Sequence, residues 1–449
     1  MAESPHDRLY WRLDTAHHTE PVSRWASEVL VDQRTEATQQ RFARSGVPLE
    51  SIAWADIDGF VYAAVDPFGG DTWGPSGVRE KTKDKLTGGF NRRIEKMREV
   101  NRSHHHQGVV DQWVAGGEQH LLDAGYRFLE RDLFGLSDKE LRKEFGKARE
   151  YVAVAIDHHV MLHLAAANEV GRVSLRLTRD HEFSAADLDA LLSGPGGAPT
   201  GAAASAHHLV GLIVDAGAGD LLRQAGSLDE LSAISPGVAG AVASHLAKWS
   251  RDAVRNDPAH PVIADEPLRL LDQLTAIADH IEPRSETGPI HIQALENRML
   301  AGLGDTPLTR QRLERARRAR PIISGSRTAT IGIPLAVLRQ FGTVIGVRLL
   351  GTGRLSDEEH VFDLTMDEVE ALMKGSKHAP AESANLAAGR YARRRDPSGP
   401  PQDTLGDRPS PVSESGLPGD AVEYIESILW HLDHWLWPRS SASAGPSAP

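Results

Sequence analysis

Cysteine is absent from the 449-residue chain. That excludes disulfides, thiolate nucleophiles and cysteine-built zinc or iron–sulfur centres. A surplus of positive charge is absent too: 50 Lys and Arg stand against 62 Asp and Glu, a formal charge of −12. Such a balance repels nucleic acid and anionic lipid, so neither a nucleic-acid nor a membrane partner is expected. No uninterrupted apolar stretch approaches the roughly 18 residues of a bilayer-crossing helix. The opening MAESPHDRLYW lacks the apolar core of a secretory leader. A soluble, cytoplasmic protein is the expectation. The glycine pairs at 69–70 and 116–117 lack the flanking pattern of a phosphate-binding loop, so no P-loop or dinucleotide fold is expected.

What is present is helical periodicity and histidine, with 21 of the latter. Apolar residues recur at three–four spacing in VVDQWVAGGEQHLLDAGYRFLERDL. Ser137 with Glu140 reads as a capping box opening a long helix through the apolar stretch 151–167. Alternation in Ile57-Asp58-Gly59-Phe60-Val61-Tyr62 predicts a short strand or an extended plug between helices near the N-terminus. Between Gly346 and Val369 a helix stops at Gly351 and Gly353. A strand-like plug over 360–364 and a helix boxed by Thr365 and Glu368 follow it. The fold class is therefore mainly α, with minor β near the N-terminus and around 360–364. One α-rich domain over 1–395 is expected, in one piece or in two lobes split near 194–205. A Pro/Gly-rich linker over 396–419, a docking helix over 420–438 and a disordered tail over 439–449 complete the chain.

The order of several short motifs resembles the substrate-binding middle region of phosphoenolpyruvate-utilising phosphotransferases of the rifampin phosphotransferase and phenylphosphate synthase kind. The motifs are Tyr10-Trp11-Arg12-Leu13-Asp14 with His17-His18-Thr19-Glu20-Pro21, then Phe183-Ser184-Ala185-Ala186 with Leu191-Leu192-Ser193-Gly194. Ser235-Pro236-Gly237-Val238-Ala239 through Trp249 comes next, and last Gly353-Arg354-Leu355 with His360 through Glu368. The resemblance implies an acceptor-binding module for a hydroxylated aromatic or polycyclic metabolite. The chain departs from it in lacking an ATP-grasp domain and a phosphohistidine domain. His360 stands where the relatives carry Asp, and Lys248-Trp249-Ser250-Arg251 where they carry Tyr-Gly-His-Arg. Expected partners are a small-molecule substrate, separate ATP-grasp and phosphohistidine subunits, and a second copy of the chain.

Five residues are candidates for proton transfer. His17 and His18 lie beside Asp14, a carboxylate able to hold an imidazole tautomer, or they are surface or packing histidines. Asp157, His159 and His163 share one helix, where His159 and His163 are i,i+4 and occupy one face. That spacing suits a metal pair, a substrate contact or a buried, hydrogen-bonded pair. Val160 stands where a zinc peptidase would need its glutamate, so no metal and no other cofactor is expected. Trp11, Arg339, Arg348 and Trp430 are the candidate substrate-binding residues, the arginines as anion stabilisers. Adjacent His104, His105 and His106 diverge as an exposed loop or form an anion site with Arg102. The arginines of 310–320 pair with the acidic surplus or recognise phosphate. Val422, Ile425, Leu429, Leu432 and Leu436 make the last helix one apolar stripe that must dock.

Overall fold

The computed structural model describes residues 9–68, 80–193, 201–253, 255–280, 289–375, 380–397, 399–415 and 417–436. Of the expected split near 194–205, residues 194–200 lie outside the described residues, as does the tail at 439–449, and 201–205 open the helix Gly201–Asp215. The protein is mainly α with one small sheet.

The central helix, Asp138–Ala166, starts as its sequence predicts. The Ser137 hydroxyl accepts from the Glu140 amide while the Glu140 carboxylate accepts from the Ser137 amide at 2.9 Å. It buries Leu141, Phe145, Ala148, Val152 and Ile156 in the main core. A π-turn, Ala167–Gly171, carries it without a break into Arg172–His181. Beside it runs Ile333–Gly351, buried on nearly every side. The stretch Pro307–Gly351 contains a window apolar enough to cross a membrane, with 78% of that window buried inside the protein. Burial all round is what a core helix of a large domain needs.

Four antiparallel strands stand in the order β2-β3-β1-β4: β1 Trp11–Leu13, β2 Leu49–Ile57, β3 Phe60–Pro67 and β4 Thr404–Leu405. The β2–β3 hairpin closes at Asp58 (φ 54°) and Gly59 (φ 86°), the positive-φ pair of a tight two-residue turn. The segment expected as a linker over 396–419 therefore supplies an edge strand, paired through Leu405 to Trp11, and buries Val412. Helices between Gly201 and His280 share a separate apolar core around Leu209, Ile213, Val238 and Leu274. The chain then returns to the main core.

The expected extended plug at 360–364 is instead a 3-10 helix, Glu358–Asp363, capped by Asp357. The reason is a groove of small residues on Ile333–Gly351. A β-carbon at Gly342 would clash with the Phe362 ring, and one at Gly346 with the Glu358 carbonyl. Phe362 fills that groove edge-on to Trp25, ring centroids 5.2 Å apart. Asp363, buried behind it, takes both arms of Arg394 at 2.8 Å. Thr365 and Glu368 then make their capping box, with Arg390 on the Glu368 carboxylate. The motif of small, acidic and aromatic residues is a packing device.

Candidate active site

The C-terminal helix, Gly419–His431, lies across the junction of the sheet, the Arg34–Ser45 helix and the central helix. Between them is a cavity of about 50 Å³ lined by Arg34, Thr38, Trp54, His159, His163 and His431, among apolar neighbours. Arg34 is 6% exposed and its guanidinium lies over the Trp54 ring, 4.2 Å from the centroid. Among the described residues it has no hydrogen-bond or ion-pair partner. Burial lowers its pKa to about 10, with Asp14 opposing that fall. A guanidinium removed from water without a partner is costly, and an oxygen-rich ligand would supply the missing acceptors.

The lining histidines converge from two helices, the central one and the C-terminal one. His159 and His163 share a face as their spacing predicts, ring centroids 4.3 Å apart. His159 Nδ1 is 3.1 Å from the Thr330 hydroxyl, which itself donates to the Ser326 carbonyl at 2.8 Å. With that proton committed, Thr330 accepts from His159, so Nδ1 carries the hydrogen and Nε2 keeps a lone pair. His163 faces His431 across a 3.5 Å nitrogen–nitrogen approach. Burial holds both rings of the His159–His163 pair well below the ordinary histidine pKa, and the neighbouring charges of Arg34 and His17 add to it. Burial takes His431 down to about 3.

His17 stands outside the lining but close enough for its charge to act on His159 and His163. Its Nδ1 is 2.8 Å from Asp14 Oδ1. Asp14 is 1% exposed. Burial opposes ionisation there, yet the charge and hydrogen bond of His17, with His18 and Arg34, leave its carboxyl below the ordinary value. His18 is buried, and burial drops it to about 4. Three of the four expected histidines thus act on one region, and the fourth flanks it.

The other expected residues stand elsewhere. Asp157 is clamped by both arms of Arg41 and is not part of the cavity lining. Arg339 is taken up by Asp265 at 2.8 Å and by the Pro258 and Ala259 carbonyls. Arg348 binds Asp138 at 2.7 Å and the carbonyls of Leu133, Phe134 and Leu136. Both arginines tie loops to the buried helix and are not available to an anion. Trp11 is buried in the sheet against Ala53, Phe60 and Tyr62. Trp430 is buried in the main core and stacked on His434 at 3.9 Å, so it packs on the protein's own body. Among the described residues no three ligand-type side chains are grouped to hold a metal ion.

Arg34 and His431 are the site residues that sequence reasoning missed. Arg34 sits in the polar run DQRTEATQQR, and only its spacing of four from Thr38 and eight from Phe42 hints at an inward face.

No protein-family model matches the chain, and no curated protein is similar to it.

Proposed function

We propose that the protein is a small-molecule-binding enzyme, and that its substrate presents an oxygen-bearing head to Arg34. The observation that carries this reading is the buried, unpartnered guanidinium stacked on Trp54 within reach of two neutral imidazoles. About 50 Å³ seats a few non-hydrogen atoms and not a ring, since a cavity that takes benzene is roughly three times larger. The head is therefore a carboxylate, an enol or the hydroxyl edge of a larger molecule. A hydroxylated aromatic or polycyclic metabolite, as the resemblance implies, would enter by that edge alone.

The chemistry assigned is acid–base. Arg34 stabilises negative charge developing on the substrate oxygen, an effect strengthened by the dry surroundings. His159 Nε2 accepts a hydrogen bond from the substrate hydroxyl. His17, held by Asp14 through Nδ1, is the general base, with a carboxylate to stabilise the imidazolium it becomes.

A second reading is a non-catalytic acceptor-binding subunit of a split, ATP-dependent phosphotransferase. The low basicity of His159, His163 and His431 favours it, because such rings bind well and take protons poorly near neutral pH.

The test is a histidine side-chain NMR titration of the full chain with pyruvate, small carboxylates and phenols, beside Arg34→Gln and His17→Gln. Shifts at His159 and His163 that vanish in Arg34→Gln support the site. Turnover lost in His17→Gln with binding kept supports the enzyme, whereas binding without product under any condition supports the subunit. If no compound moves these rings, or Arg34→Gln binds as wild type, the reading fails.

A further inference from the structure

A second and larger cavity, of about 320 Å³, lies beyond the π-turn of the central helix. Its size falls at the lower end of small-molecule sites. Arg172 and Arg176 reach it from the central helix's continuation, Arg312 and Arg315 from Pro307–Gly325, and Arg102 from the end of Glu80–Arg102. Glu169 and Glu423 are the carboxylates in the same lining. Five guanidiniums against two carboxylates leave a formal surplus of three positive charges.

The surplus is not what this helix does elsewhere. Along Pro307–Gly325, Arg310 is bound by Asp305, Arg317 by Glu296, Arg318 by Asp111 and Arg320 by Asp189. Arg312, in the cavity, has no hydrogen bond or ion pair among the described residues, and neither has Arg102. Arg315 approaches His104 Nδ1 at 3.2 Å and has no carboxylate partner among the described residues. Glu423 is occupied by Arg176 at 2.8 Å. Burial, then the like charges of Arg176 and Arg172, hold Arg312 below its ordinary pKa. Crowded like charges persist where an anion is there to answer them. Apolar side chains complete the lining, among them Val173, Met299, Leu303 and Leu313.

We infer that this cavity binds a phosphate-bearing small molecule, its phosphate oxygens on Arg312, Arg172 and Arg102 and its apolar part against Met299 and Leu303. Planar guanidinium forks match phosphate oxygens in pairs, and a charge surplus of three suits a diphosphate or a phosphate monoester with one further negative group. This inference is independent of the site at Arg34.

Titration calorimetry on the full chain tests it, with inorganic pyrophosphate and phenyl phosphate as ligands, citrate as a third titrant and ionic strength fixed. Saturable binding of a phosphate compound is expected, weakened at least tenfold in Arg312→Gln and in Arg172→Gln. Arg312→Lys should recover only part of the affinity lost in Arg312→Gln, since the charge is kept and the planar fork is not. Arg318→Gln should bind as wild type, and melting temperatures confirm that each variant is folded. The inference is overturned if neither phosphate compound binds, if citrate alone binds, if Arg312→Gln binds unchanged, or if Arg318→Gln weakens binding equally.

Discussion

His17 Nδ1 donates to Asp14 Oδ1 over 2.8 Å, and the carboxylate is almost wholly buried while the imidazole is 26% exposed. An ionised acid under a partly solvated histidine is the arrangement that fixes one tautomer and leaves the outer nitrogen as base.

Asp14→Asn should remove that control. Its folded carboxyl lies below the ordinary value of 3.8, so the stability it contributes is present above about pH 4 and drains as pH falls through the lower folded value. Denaturant unfolding should show the variant weaker by about 2 kcal/mol between pH 5 and 8, the deficit shrinking below pH 4. A deficit independent of pH down to 3 would contradict the assignment.

The buried histidines set a second pH dependence. Burial lowers His18 to about 4 and His106 and His431 to about 3 from an ordinary 6.5. Each is protonated first in the unfolded chain, so stability is full above about pH 6.5 and is lost as pH falls towards 4. Melting temperature should climb between pH 4 and 6.5 and level off above. His106→Gln should flatten that slope by one proton, measured by the linkage of unfolding free energy to pH.

Gly171 touches the C-terminal helix so closely that a β-carbon would overlap the Ser427 carbonyl. Gly171→Ala should cost roughly 1–3 kcal/mol, the usual cost of overpacking a filled interface. A melting temperature equal to wild type would show that the two helices part easily.

Deleting residues 420–449 should do more. Tyr424, Ile425 and Ile428 are buried against the sheet and the central helix, and their loss bares the apolar surface beneath. Dye binding and light scattering should both rise, with loss of ligand effects at His163 because His431 is gone. A truncated chain that stays monodisperse and equally stable would show the helix to be dispensable.

The α class, a β contribution near the N-terminus and both capping boxes were legible because each is written in local spacing, whereas residues 57–62, read as one extended stretch, hold the turn between β2 and β3. The 3-10 turn at 358–363 was not. Val361, Phe362 and Leu364 read as a plug either way, and only the groove at Gly342 and Gly346 decides its geometry. The His159–His163 pair could be read from its i,i+4 spacing. Arg339 and Arg348 looked available because Asp265 and Asp138, their partners, lie 74 and 210 positions away. Arg34 was hidden for the opposite reason: a buried guanidinium and a solvated one leave the same trace in a polar run.

One rod of helix serves both cavities. His159 and His163 face the first, and Asn168, Arg172 and Arg176 the second, with Asn168 itself inside the π-turn Ala167–Gly171. Each set keeps a step of four, but His163 and Asn168 are five apart, and the wide turn absorbs the extra residue. That residue acts as a phase setting. Removing it would turn every side chain after it by about 100° and draw it back by about 1.5 Å relative to the histidines. The bearing of the two sites on one another is thus fixed by chain length and not by side-chain chemistry. Substitutions could retune either cavity alone, while a single deletion or insertion at the turn would misalign one against the other.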